Sequence, residues 1–217
     1  MKNLTVGKTL KLILTFALPL FVGQLFQLFY SLADTRIVGA TLGENALAAV
    51  GATSTLSDLL IGLLNGITNG FAIVIATRFG ANDEKGMKKA IGGTVVLGIS
   101  AALFISICSL IFLTPILNFL NISPELLSDS KAYISIILVG LIVATCYNIC
   151  AAILRAIGDS FTPLIFLIIS AILNILLDYT FIMLFSMGVG GAALATVISQ
   201  AISALLCFIY MRRKYPQ

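Results

Sequence analysis

Six long apolar stretches, separated by short charged or glycine-rich breaks, organise the chain. Leu12–Ala33 carries no charge. Ala46–Thr77 is interrupted only by Asp58. Ala90–Pro124 is again charge-free, its helix expected to end near Pro115. Ala132–Leu154 follows, then Ser160–Phe185, broken only by Asp178, and finally Val189–Met211. Each supplies the roughly 20 residues that a helix needs to cross the hydrocarbon core of a bilayer. The pattern predicts an all-α integral membrane protein: one lobe of six transmembrane helices over residues 1–217, with spans at about 12–33, 46–77, 90–115, 132–154, 160–185 and 189–211. Between the last two, Ser186-Met187-Gly188-Val189-Gly190-Gly191 reads as a tight reversal. The basic start (Lys2, Lys8, Lys11) resembles a secretory leader, but the apolar run behind it is too long and has no convincing cleavage site. It is read as a mature first span.

The polar positions inside these spans fall at helical spacing. Gln24, Gln27, Ser31 and Asp34 recur at steps of three and four on the first span, and Ser54, Asp58, Asn65 and Asn69 do so on the second. Ser170, Asn174 and Asp178 lie four apart on the fifth, and Thr196, Ser199 and Ser203 make a weaker stripe on the sixth. Stripes that cannot face lipid face each other or water. The expectation is a polar cavity enclosed by the first, second, fifth and sixth spans. Plainer readings compete: Ser and Thr bond to their own helix backbone, and Gln and Asn serve as interhelical glue. Asp34 and Asp58 lie near enough to a surface to be solvated. Asp178 lies deep with no Lys or Arg in its span. A charge at the bilayer centre costs roughly 2.5–3.5 kcal/mol on insertion scales, so such acids mark ion paths. Gly62, Gly66 and Gly70 form a small-xxx-small face suited to close helix packing. Pro19 interrupts the hydrogen bonding of the first span and is a candidate hinge.

Composition sharpens the class. Of 217 residues 59% are hydrophobic and 10% charged, with no His and no Trp, too few polar groups to cover a soluble domain. Nothing points to nucleic acid. Cys108, Cys146, Cys150 and Cys207 all lie in apolar runs and read as small apolar residues rather than a disulfide framework or metal site. No nucleotide-binding motif and no nucleophile or zinc constellation is present, so neither a self-contained ATP-driven pump nor an enzyme is expected, and no cofactor. Charge position sets orientation. Eleven of the 13 Lys and Arg lie at the two ends, in the second connection and in the fourth, where Arg155 sits; Arg36 and Lys131 alone lie opposite. By the positive-inside rule both termini face the cytoplasm.

The order and spacing of several short pieces resemble the multidrug and toxic compound extrusion (MATE) transporters, within the MOP superfamily that also contains polysaccharide and lipid-precursor flippases. The pieces are Ala17-Leu18-Pro19, Asp34-Thr35 with Val38-Gly39, Ala46-Leu47-Ala48-Ala49-Val50-Gly51, Arg78-Phe79-Gly80-Ala81 with Asp83-Glu84-Lys85-Gly86, Asn148 before Leu154-Arg155 and Gly158-Asp159, and Asn174-Ile175-Leu176-Leu177-Asp178 with Gly188-Val189-Gly190-Gly191. The resemblance implies a secondary active antiporter of the bacterial inner membrane that moves cationic amphipathic drugs outward in exchange for H⁺ or Na⁺. It implies Asp34 and Asp178 as coupling acids, with Asn174, Asn148, Thr196 and Tyr30 beside them. Na⁺, if that is the ion, would sit among Asp34, Asn148, Asn174, Asp178 and Thr196. Gln24, Gln27, Ser31, Asp58, Asn65 and Asn69 would line the substrate cavity, and Pro19 would bend the first helix. The family has about twelve helices in two lobes. The expectation is therefore a piece of a longer protein that pairs with a second six-helix lobe, ahead of a functional half that forms a homodimer. Competing readings are a lipid-linked saccharide flippase of the same superfamily, a structural membrane subunit and an acid-based intramembrane hydrolase. The flippase would favour a cationic cavity, and no Lys or Arg lies within the predicted spans.

Overall fold

The computed structural model describes residues 9–214 and is all-helical. Lys2, Lys8 and the ending Tyr215-Pro216-Gln217 lie outside the described residues. The helices are α1 (Thr9–Leu42), α2 (Glu44–Gly80), α3 (Glu84–Ile111), the short α4 (Leu113–Phe119), α5 (Pro124–Ala156), α6 (Phe161–Asp178) and α7 (Gly188–Lys214). A π-helical segment, Tyr179–Leu184, prolongs α6. Six of these helices are long and apolar enough to cross a membrane.

The helices overrun the charge-free stretches. α1 continues through Asp34 and Arg36, and α5 begins at Pro124, ahead of Glu125, Asp129 and Lys131. Charge marks where the hydrocarbon ends, whereas a helix continues until its backbone is broken or capped. Pro124 suits a first helical turn, where a missing N–H costs nothing. Pro115 acts in the opposite sense: lacking an N–H for the carbonyl four residues back, it separates α3 from α4 at Phe112. The reversal before α7 is shorter than the glycine pattern suggests. Ser186 and Gly188 adopt positive φ (53° and 60°), while Gly190 and Gly191 already belong to α7. Gly191 is instead a packing position, since a Cβ there would press on Phe181 and Met187.

α5 is the axis of the bundle. It packs against α2, α3 and α7, and α7 in turn against α6, while α1 leans on α6 and α2. The main core is built of Ile134, Leu138 and Leu141 of α5, with Leu64, Ala102, Ala192 and Ala193 from its neighbours. Lipid offers no hydrophobic drive between helices, so close packing and interhelical hydrogen bonds hold them. Gly140 lets Val197 of α7 pack directly on α5. Ser106 of α3 donates to the Leu138 carbonyl at 2.7 Å, and Ser203 of α7 to the Phe166 carbonyl of α6 at 3.1 Å. The glycine face of α2 behaves otherwise than expected: Gly62, Gly66 and Gly70 are exposed, and nothing among the described residues approaches the space a side chain would fill.

Candidate functional site

Two polar regions lie between the helices. The first is a buried acid cluster. The inward face of α1 runs through Gly23, Gln27, Tyr30, Asp34 and Val38, close to a straight helical stripe. It carries Asp34, which is 8% exposed, toward Asp178 at the end of α6, which is fully buried. The two carboxyl groups are within hydrogen-bonding reach of each other. Asn174, one turn before Asp178, is also fully buried. With its amide oriented to satisfy both ends, its nitrogen donates to Asp178 Oδ2 at 3.0 Å, and its oxygen accepts from the Thr196 backbone N–H at 3.2 Å and hydroxyl at 3.3 Å. Thr196 of α7 also faces the Tyr30 hydroxyl at 3.4 Å.

No Lys or Arg neutralises this pair: the two ion pairs among the described residues are Arg78–Asp83 and Lys214–Asp159. One oxygen of each acid, Oδ1, is buried without a hydrogen-bond partner. Two carboxylates facing each other in a low dielectric need a proton or a cation between them. Tyr133 of α5, 8% exposed, lies within electrostatic range of Asp34, Tyr30 and Asp178. Sequence reasoning missed it, because one Tyr in an apolar run adds no polar periodicity. The π-helical turn directly after Asp178, closed by Phe185 N–H to the Thr180 carbonyl at 3.1 Å, was also missed. Such turns accompany functional sites, but no residue pattern here announces one.

The second region is an open cavity of about 390 Å³. α1 contributes Pro19, Gln24 and Gln27; α2 contributes Asn65 and Asn69; α5 contributes Tyr147, Asn148 and Arg155; α6 contributes Leu164 and Leu167. The expected enclosure is corrected here: the fourth span supplies a wall, and the sixth adds only Gln200, to a smaller adjoining cavity. α5 takes that wall because it is the central helix, whereas Ser199 and Ser203 of α7 spend their hydroxyls on the Thr196 and Phe166 carbonyls. The adjoining cavity shares Gln27, Asn65 and Asn148 and reaches Tyr30 and Ser170, so it leads toward the acids.

Asn148 is therefore a wall residue with no hydrogen bond to either acid among the described residues. Ser31 and Asp58 are exposed and line neither cavity. Ser31 sits about 100° around α1 from Tyr30 and so leaves the inward stripe. Pro19 lines the cavity while α1 runs unbroken through it. Arg155 is the main surprise. It occupies the last turn of α5 rather than a loop, and its Nη2 donates to Asn69 Oδ1 of α2 at 3.2 Å. Its guanidinium thus enters the cavity, which weakens the contrast drawn with a cationic flippase cavity.

Comparison with known proteins places these features in context. The MatE family model matches residues 19–180. The chain is 32% identical to "Probable multidrug resistance protein YpnP" of Bacillus subtilis (strain 168), over 96% of this chain and 47% of that protein. It is 28% identical to "Probable multidrug resistance protein NorM" of Thermotoga maritima, over 94% and 45%. Among solved structures, "Crystal structure of MATE in the bent conformation" superposes with a TM-score of 0.87 at 29% identity, covering 94% of this chain and 45% of the other. The chain spans about half the length of the curated relatives it matches.

Proposed function

The chain belongs to the MatE family, and on that premise we propose that it is one six-helix lobe of a secondary active multidrug efflux transporter. The lobe sits in the bacterial inner membrane with both ends cytoplasmic. A second six-helix lobe, or a second copy of this chain, completes the transporter, and small organic cations are cargo. The observation that carries the reading is the acid pair Asp34–Asp178, buried and facing, with one orphan oxygen on each acid. An uncompensated pair of this kind must bind a cation to be stable, which is what ion coupling requires.

H⁺ or Na⁺ could fill that role. The oxygens of Asp34, Asp178 and Thr196 suit Na⁺, a hard cation that takes oxygen ligands. Asn174, Thr196 and Tyr30 then fix the acids in place, with Asn148 in the adjoining wall. Loading the pair removes negative charge from the end of the cavity chain that Tyr30 reaches. A cationic drug loses its partner there, α1 repacks about Pro19, and the drug leaves outward. Ion and drug are linked because each disfavours the other's bound state.

The test is ethidium accumulation in a pump-deficient bacterium expressing the chain, alone and fused to a second copy. Expression should lower accumulation, and Asp178→Asn should restore it to the level of the empty vector. Unchanged accumulation with both the single and fused chains would overturn transport by this lobe.

A further inference from the structure

Arg155 is not needed to hold the acid pair, and its position is unusual for a helix-end cation. At the C-terminus of a helix such a group ordinarily interacts with the last carbonyls or with solvent. Here the guanidinium reaches from α5 across to α2 and lines the cavity. It takes part in neither ion pair among the described residues. A guanidinium carries five N–H donors in a planar fork matched to carboxylate, sulfonate or phosphate oxygens. The one bond to Asn69 leaves most of that fork available.

The surroundings select for an anion with an apolar body. The other polar groups that line the cavity are neutral, the amides Gln24, Gln27, Asn65, Asn69 and Asn148 and the Ser160 hydroxyl, and no acid does. Leu164 and Leu167 of α6 form the apolar side. The Tyr147 hydroxyl is already engaged with the Pro163 carbonyl at 3.0 Å, so it does not compete for a ligand. The cavity is thus cationic at its Arg155 end, while the acids lie beyond the adjoining one.

We propose that Arg155, positioned by Asn69, forms an anion subsite that takes the sulfonate, carboxylate or phosphate group of an amphipathic ligand whose apolar part lies against Leu164 and Leu167. The cargo of this cavity then includes anionic and zwitterionic amphiphiles as well as cations. The inference rests on the reading of the cavity as a cargo site, but equilibrium binding tests it without transport.

Two fluorescent probes share one aromatic scaffold and differ in charge: anilinonaphthalene sulfonate and neutral N-phenylnaphthylamine. Each is titrated into the chain in phosphatidylcholine nanodiscs, with empty discs subtracted. Wild type should bind the sulfonate more tightly than the neutral probe. Arg155→Gln should weaken the sulfonate roughly tenfold or more, the scale of a lost charge-assisted hydrogen bond, and leave the neutral probe unchanged. Arg155→Lys, which keeps charge but loses the fork, should fall between. Equal sulfonate binding by wild type and Arg155→Gln would overturn the subsite. So would a parallel loss of both probes, which a merely structural α2–α5 tie predicts, or no binding of either probe to wild type. Phosphatidylglycerol discs identify the source: competition with the sulfonate that vanishes in Arg155→Gln assigns a lipid headgroup, and its absence assigns a soluble amphiphile. Sulfonate binding without ethidium efflux would keep the subsite and sink the transport reading, so the two fail separately.

Discussion

The acid cluster and the Arg155 cavity use the same resource, polar side chains between membrane helices, to opposite ends. The cluster is closed. Asp178 and Asn174 are fully buried, their hydrogen bonds run to one another and to Thr196, and the ionisable side chains paired there, Asp34 and Asp178, are both acids. The cavity is open, walled by neutral amides, and its one charge is positive. A closed, over-determined cluster fits a small ion, whose binding needs fixed ligands and little space. An open wall of amides with an apolar side fits larger and more varied molecules. Tyr30, which belongs to the cluster and lines the adjoining cavity, is where the two can influence each other.

The strongest way to break this division is to remove an acid and watch both regions. Asp178→Asn, Asp34→Asn and the double variant should each abolish drug efflux, the double no worse than either single change, because the pair shares one cation. The same variants should leave sulfonate binding near wild type, within about threefold, since neither acid nor any of its hydrogen-bond partners lines the cavity that holds Arg155 and sites with no shared partners perturb each other little. If Asp178→Asn weakens the sulfonate probe as much as Arg155→Gln does, the two regions are one site and the comparison fails.

How far the sequence foretold these regions differs between them for a physical reason. An acid inside an apolar run stands out because its insertion cost has no bland explanation, so Asp178 was legible, and its partners Asn174 and Thr196 followed from helical spacing and family resemblance. The six spans were legible for the same reason, as long runs without charge. Arg155 was misplaced by that rule: counting every basic residue as a loop marker puts it outside, although a long side chain in a last helical turn can fold back between helices. Asn148 was drawn to the acids by resemblance, whereas the position of α5 at the centre of the bundle puts it in the wall. Tyr133 and the π-helical turn left no trace, because an aromatic in an apolar run and a change of helical register both depend on what packs against them.

A smaller effect is expected where packing supports one region and not the other. Gly140 on α5 receives Val197 of α7, next to Thr196, and an added methyl would overlap that side chain. Overpacking of this sort costs about 1–3 kcal/mol. Gly140→Ala should therefore lower the thermal midpoint of the chain in discs, followed with a thiol-reactive dye in a background where Cys108, Cys146 and Cys150 are replaced by alanine, so that the dye reports exposure of the buried Cys207. It should also reduce efflux by pushing Thr196 away from Asn174. The cavity wall lies on other faces, so binding of the neutral probe should persist in the folded variant at low temperature. Loss of probe binding in that variant would show that the α5–α7 contact supports both regions.

The least disruptive change addresses the link itself. Tyr30→Phe keeps the ring that lines the adjoining cavity and removes only the hydroxyl bond to Thr196, which at 3.4 Å is long. Its contribution should fall at the low end of the roughly 0.5–1.5 kcal/mol of a net hydrogen bond, so efflux should drop by about twofold to fivefold rather than vanish. Probe binding should not change, because the ring remains. Efflux measured over a range of external pH separates this from simple loss of fit. A variant that relaxes the acid cluster should change the pH dependence of efflux, while one that only alters the cavity should scale efflux equally at every pH. A uniform loss would place Tyr30 with the wall rather than with the acids.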